Sequence, residues 1–331
     1  MKSNMTKSYK IDVTSSKFPK GYLDQYLDNK TVIANVNRAQ LFWAAMTVGK
    51  PSKRHLFEHA SYSFFEILNR CSLINMNIDF WDRDGRLKLS PLYYNLDSSE
   101  QKNVSYNLGM IFTKLFAHKY LQTPWLVHLS WMEKQKLIGY LSKHSYYGDL
   151  VGFSKNTHRW SVYEGKGRHS YYTPSKLKHA KQQASMNIEI DGSPRDLGVA
   201  CGIFTKGKFD FHWFDPPPEG DREASFRTTK YTWLAYYKNV VDLYKLTNTS
   251  KYVILPDLIE GPIDKRFEDF PNIKLVVEPH ILEFLEILKE SDNDGDWRDF
   301  YWEKVFNYNP KNDDISVFKG HDGVTIISEG W

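Results

Sequence analysis

Three ionisable side chains stand out by type and spacing: Asp149, Glu164 and Lys166. Asp149 opens the apolar run Gly148-Asp-Leu-Val-Gly-Phe153. Glu164 and Lys166 lie near the end of a second run, Arg159-Trp-Ser-Val-Tyr-Glu-Gly-Lys-Gly-Arg168. In a strand, side chains at i and i+2 share a face. Glu164 and Lys166 therefore point together, and Gly165 points away. The short turn Ser154 to His158 lets the two runs pair side by side. Pairing sets Asp149 beside Glu164, so two carboxylates and one ammonium share a small volume. Carboxylates in contact raise one another's pKa or share a cation. Hard oxygen ligands suit Mg²⁺. A divalent ion held there binds a phosphate oxygen and acidifies water, and a lysine alongside orients or deprotonates that water. The chemistry that follows is phosphodiester hydrolysis.

The neighbouring elements must hold this arrangement. Trp160, Val162 and Glu164 alternate with Ser161 and Tyr163, the period of a strand. A Lys-rich helix follows at Ser175 to Gln183, then an apolar strand at Asp196 to Phe204. On that helix Leu177, Ala180, Ala184 and Ile188 form one stripe, and Lys181 falls about 50° from its middle. A lysine there snorkels or points at negative charge. It is expected to contact the site or a phosphate.

The order strand-Asp, strand-Glu-x-Lys, helix, strand resembles the restriction-endonuclease-like superfamily, the PD-(D/E)xK nucleases. The resemblance covers roughly residues 103 to 217. The stretches Leu89-Ser-Pro-Leu-Tyr-Tyr-Asn-Leu96 and Trp213-Phe-Asp-Pro-Pro217 look like parts of an uncharacterised bacterial branch. The resemblance implies that Asp149, Glu164 and the Gly165 carbonyl hold Mg²⁺, with Mn²⁺ able to substitute. It makes Lys166 the catalytic lysine. Gly148 stands where the name motif has Pro, a residue that shapes backbone and carries no catalytic group.

The whole chain sets outer bounds. At 331 residues, 41% hydrophobic and 25% charged, it has an ordinary soluble composition. Two cysteines, Cys71 and Cys201, sit in apolar sequence without a CxxC partner. That argues against a disulfide framework or zinc site and fits a reducing cytoplasm. The first residues lack the apolar run of a signal peptide, and no apolar stretch is long enough for a membrane span.

The net charge of +4 is unevenly spread. Leu150 to Gln182 holds seven Lys/Arg against one acid, whereas Pro256 to Trp331 holds 18 acids against eight bases. A basic patch around the carboxylates suits a polyanion. Lys166, Arg168, Lys178 and Lys181 are its expected nucleic-acid contacts, and the acidic end is expected to face away.

In chain order, residues 1 to 30 read as an arm. Val32 to Thr47 and Leu56 to Leu73 read as helices by their 3.6-residue period. Asn77 to Leu89 reads as a hairpin turning at Asp84-Gly85. Val104 to Leu121 has the clearest helical stripe, and Gly109 within it costs about 1 kcal/mol relative to Ala. A close helix–sheet contact would justify that cost.

Pro124 to Leu129 reads as the first strand of a three-strand meander, with His128 a satisfied or exposed histidine. Phe209 to Phe214 extends the sheet. Thr229 to Leu246 and Ile281 to Leu288 are expected helices. Tyr252 to Leu255, Ile273 to Val277, and a terminal hairpin of Ile315 to Phe318 with Val324 to Ile327 are expected strands. The run Asp292-Asn-Asp-Gly-Asp296 is a helix-terminating turn. An EF-hand alignment would place its bidentate acid on Tyr301, which has no carboxylate.

The fold class expected is α/β (α+β), a mixed central sheet flanked by helices. Residues 1–97 form an N-terminal helical region with a hairpin, 98–218 the nuclease core and 219–331 an acidic α/β extension. The leading function is a Mg²⁺-dependent endonuclease acting on DNA, with Asp149, Glu164, Lys166 and Lys181 at the site. Where both strands are cut, the resemblance implies a homodimer. A silent nuclease-fold binding module, and a metal-dependent phosphatase or RNA-cleaving toxin, are the competing classes.

Overall fold

In the computed structural model, residues 8–23, 27–49, 60–80, 85–134, 138–140, 148–249, 272–291, 294–312, 314 and 316–329 are described. The chain opens with strands β1 (Tyr9–Ser16) and β2 (Thr31–Val36), then helices α1 (Arg38–Thr47) and α2 (Ala60–Asn77). Two short strands follow, β3 (Ile78–Asp79) and β4 (Lys88–Leu89), then α3 (Ser98–Leu121), β5 (Trp125–His128), α4 (Leu129–Lys134) and β6 (Ile138–Tyr140). Next come β7 (Leu150–Phe153), β8 (Trp160–Arg168), α5 (Lys178–Ala184), β9 (Met186–Ile190), β10 (Ser193–Pro194) and β11 (Gly198–Phe204). The remainder comprises β12 (Asp210–Phe214), β13 (Glu219–Phe226), α6 (Lys230–Thr249), β14 (Asn272–Val277), α7 (Pro279–Glu290), α8 (Asp294–Phe300), β15 (Val317–Lys319) and β16 (Val324–Glu329). Strand Tyr252 to Leu255, the tip of the Asn77 to Leu89 hairpin and the start of the Asp292 turn lie outside the described residues.

A seven-stranded mixed sheet, ordered β2-β1-β12-β11-β8-β7-β5, is the central layer. Strands β5, β7 and β8 are an antiparallel meander. The crossover through α5 lays β11 parallel to β8. A buried core explains the composition of these strands: every residue of β5, β7 and β11 is buried. Strands covered on both faces read as continuous apolar runs.

Helix α3 starts where Asp97 accepts from the backbone N–H groups of Ser99 and Glu100, while Glu100 accepts from Asp97 N–H. This is a capping box. The helix then lies almost backbone-on-backbone against β8. A Cβ on Gly109 would sit 2.6 Å from Gly167 N, and one on Gly167 would sit 1.6 Å from the Ser105 carbonyl oxygen. The close contact anticipated for Gly109 is therefore present. Gly165 also faces this helix, since its Cβ would meet Thr113 Oγ1 at 3.0 Å. Glu164 and Lys166, alternating with these glycines, face the opposite side.

That side lies under α5, whose Ala180 and Ala184, with Leu177 just before the helix, pack with Ala200, Phe204 and Phe214. Glu164 is in register with Ala200 on the neighbouring strand.

Several expectations are corrected. The arm at residues 1 to 30 contains β1, an interior strand whose Tyr9, Ile11 and Val13 are buried. The start of the helix expected at Val32 is β2, paired antiparallel to β1, and α1 begins only after the Asn37/Gln40 capping box. Ile188 does not extend the α5 stripe; it lies in β9 of a second sheet ordered β10-β9-β13-β6.

The C-terminal strands β15 and β16 form the expected hairpin, and β14 joins them. The hairpin turn enters the core: Asp322 and Lys114 of α3 are both fully buried and 3.8 Å apart. Trp43 Nε1 donates to Asp322 Oδ1 at 3.0 Å. One apolar cluster runs from Tyr9 through Phe112 to Ile326 and so takes in all three sequence stretches.

Candidate active site

β7 and β8 pair from Phe153↔Trp160 to Leu150↔Tyr163 and no further. Asp149 is the next residue on one side of that ladder, and Glu164 on the other. Among the described residues, β8 has no partner strand on this edge beyond Tyr163. Gly165 N–H uses the gap and donates to Asp149 Oδ2 at 3.2 Å. In a strand, the N–H and C=O of one residue point to the same edge. The Gly165 carbonyl therefore emerges beside Asp149.

Gly148 fits this turn tightly. A Cβ there would lie 2.7 Å from Val162 Cγ1 and 2.8 Å from the Tyr163 carbonyl oxygen. That contact is a physical reason for glycine at this position.

Glu164 is fully buried. Its carboxyl is in contact with the Lys166 ammonium and the Asp149 carboxyl. Burial, then the Asp149 charge, pushes its pKa up to about 8, with Lys166 opposing. Burial also raises Asp149, against the pull of Lys166 and the Gly165 N–H. At neutral pH the pair therefore retains a proton. Two adjacent carboxyls, one of them fully buried, with a backbone carbonyl alongside, are a donor set that fits a hard divalent cation. Asp149, Glu164 and Gly165 are the residues that would hold it. Among the described residues there is no group of three or more His, Cys, Asp or Glu around one point.

A groove of 530 Å³ opens beside Lys166. The N-terminal half of α3 forms one wall, with Lys102, Ser105 and Tyr106, and Gly165 to Ser170 form the other. Arg168 and Lys176 line it too. Tyr106 is a site residue that the α3 apolar stripe does not reveal. Its ring is exposed, but partial desolvation of the hydroxyl raises its pKa first, and the charges of Asp149 and Glu164 raise it further. The spacing that could have marked it is Lys102 to Tyr106, one helical turn apart on a polar face.

The sequence-derived residues divide. Asp149, Glu164, Gly165 and Lys166 come together, and Arg168 sits along the groove. Lys178 is exposed on α5, outside the groove. Lys181 does not join the carboxylates: its ammonium lies 4.2 Å from the centre of the Phe214 ring, on β12, two strands away from β8. The physical reason is that α5 buries Ala180 and Ala184 beside the preceding Leu177, which rolls Lys181 toward β12. His128 is buried, with Ser130 Oγ 2.9 Å from its Nδ1.

No protein-family model, curated protein or solved structure matches this chain. No described helix is long and apolar enough to cross a membrane.

Proposed function

We propose that the protein is a Mg²⁺-dependent nuclease that hydrolyses phosphodiester bonds in DNA. The observation that carries this reading is the convergence of Asp149, Glu164, the Gly165 carbonyl and Lys166 just past the end of the β7–β8 ladder, on the wall of a basic groove. The succession of a helix, a three-strand meander, a crossover helix and a parallel strand supports it, because the PD-(D/E)xK resemblance implies that order.

Each residue has a defined part. Lys102, Arg168 and Lys176 attract the phosphate backbone by charge. Asp149 is oriented by the Gly165 N–H. Glu164 gives up the proton that burial imposes on it. Lys166, partly exposed and in contact with Glu164, lines the groove and stabilises negative charge that develops on the phosphate. When bound, Mg²⁺ supplies Lewis-acid polarisation of the phosphate and activation of water.

The test is a Mg²⁺ cleavage assay on plasmid DNA, single-stranded DNA and RNA. DNA cut in Mg²⁺ and left intact in EDTA supports the reading. Intact DNA with tight binding would favour the silent binding module, and cleavage of RNA alone would favour the toxin class.

A further inference from the structure

We infer that the substrate lies in the groove as an unpaired strand, with tyrosine rings stacking its bases; this rests on the nuclease reading above. A second cavity of 310 Å³ is lined by Tyr171, Lys206 and Lys208, and it shares Ser170 with the first groove. Adjoining at Ser170, the two form a trough with Lys166 and Arg168 in the first opening and Tyr171 and Lys206 in the second. Lys208 contributes less charge, because it is ion-paired with Asp12. The acid lining the second cavity is Asp210, which is paired with His212.

The aromatic groups decide between strand types. Tyr106 is 44% exposed and Tyr171 63% exposed, in a chain that buries most of its large rings. The Lys206 ammonium lies 5.2 Å from the centre of the Tyr171 ring. A duplex presents phosphates outward with its bases already stacked, so it would use the cations and leave the rings idle. An unpaired strand uses both: cations track its backbone, and exposed rings stack its bases whatever the sequence. The alternation of cations and rings along the trough matches that ligand.

Fluorescence polarisation in EDTA with a short labelled oligo(dT), alone or annealed to oligo(dA), tests the assignment without cleavage. The single strand is expected to bind at least about tenfold tighter than the duplex, and Tyr171→Ala to weaken single-strand binding by about tenfold. Tyr171→Phe should bind as the parent does, and Tyr171→Ala should leave duplex binding unchanged. Equal affinity for the two probes, or unchanged single-strand affinity in Tyr171→Ala, would overturn the inference. Adding Mg²⁺ to the same samples separates the two claims. Duplex cleavage with weak single-strand binding would overturn the unpaired-strand assignment and leave the nuclease reading standing. Tight single-strand binding with neither probe cut would do the reverse.

Discussion

Asp149 and Glu164 face each other one position beyond the last paired residues of β7 and β8, Leu150 and Tyr163. Had the ladder continued, Gly165 N–H would bond a partner strand; instead it is left to orient Asp149. Burial with a second carboxyl alongside keeps a proton on the pair and pushes Glu164 up to about 8. A divalent cation must displace that proton. Below about pH 8, Mg²⁺ or Mn²⁺ binding is therefore expected to release a proton, and affinity should rise with pH and then level off. Calorimetric titration in buffers of different ionisation enthalpy reads the proton directly. A pH-independent affinity with no proton released would contradict the pairing.

Glu164 should also make stability depend on pH. A carboxyl whose folded pKa lies above its ordinary 4.5 binds more protons folded than unfolded. Its contribution is fully present below 4.5 and is lost as pH rises toward about 8. Glu164→Gln, which needs no charge there, is expected to melt above the parent by a margin that widens across that window. Thermal denaturation at a series of pH values checks it; a constant margin would show that Glu164 is not buried as described.

The α3–β8 contact carries the second mechanical claim. A Cβ on Gly109 would meet β8 backbone, which cannot move as a side chain can. Gly109→Val is expected to cost at least about 1–3 kcal/mol and to lower cleavage through displacement of Lys166. Denaturant unfolding together with single-turnover rates tests both. An unchanged rate in a destabilised variant would uncouple the helix from the site.

Lys114 and Asp322 clasp the C-terminal hairpin to α3. Burial pushes the Lys114 ammonium down to about 7, with Asp322 opposing. Removing one partner of a buried pair leaves an uncompensated charge. Asp322→Ala is therefore expected to cost about 3–5 kcal/mol, and the double variant Lys114→Met/Asp322→Leu less than that single change. Chemical denaturation distinguishes this from simple additivity of the two single losses.

The parts of the site that lie on one strand could be read from sequence, because period 2 alone assigns Glu164 and Lys166 to one face and Gly165 to the other. The long stripe of α3 and the Asp149 turn were readable for similar local reasons. Strand β1 was missed although Tyr9, Ile11 and Val13 alternate, since its strand character depends on β12, some two hundred residues away. β2 was masked by the helical period that runs on into α1. Lys181 was misaimed because a helical wheel gives an angle from the buried stripe and says nothing about which neighbouring strand lies on that side. Tyr106 depends on where α3 crosses β8, and the glycines that set that crossing are legible only once paired.

The central claim is that Asp149, Glu164 and Lys166 act together on a phosphodiester, and single-turnover cleavage of DNA in Mg²⁺ measures it most directly. Glu164→Gln and Lys166→Ala are each expected to lose at least about 10²-fold in rate, with circular dichroism and melting showing an intact fold. Lys181→Ala should cut near the parent rate. Full cleavage by the folded Glu164→Gln or Lys166→Ala protein would contradict the account.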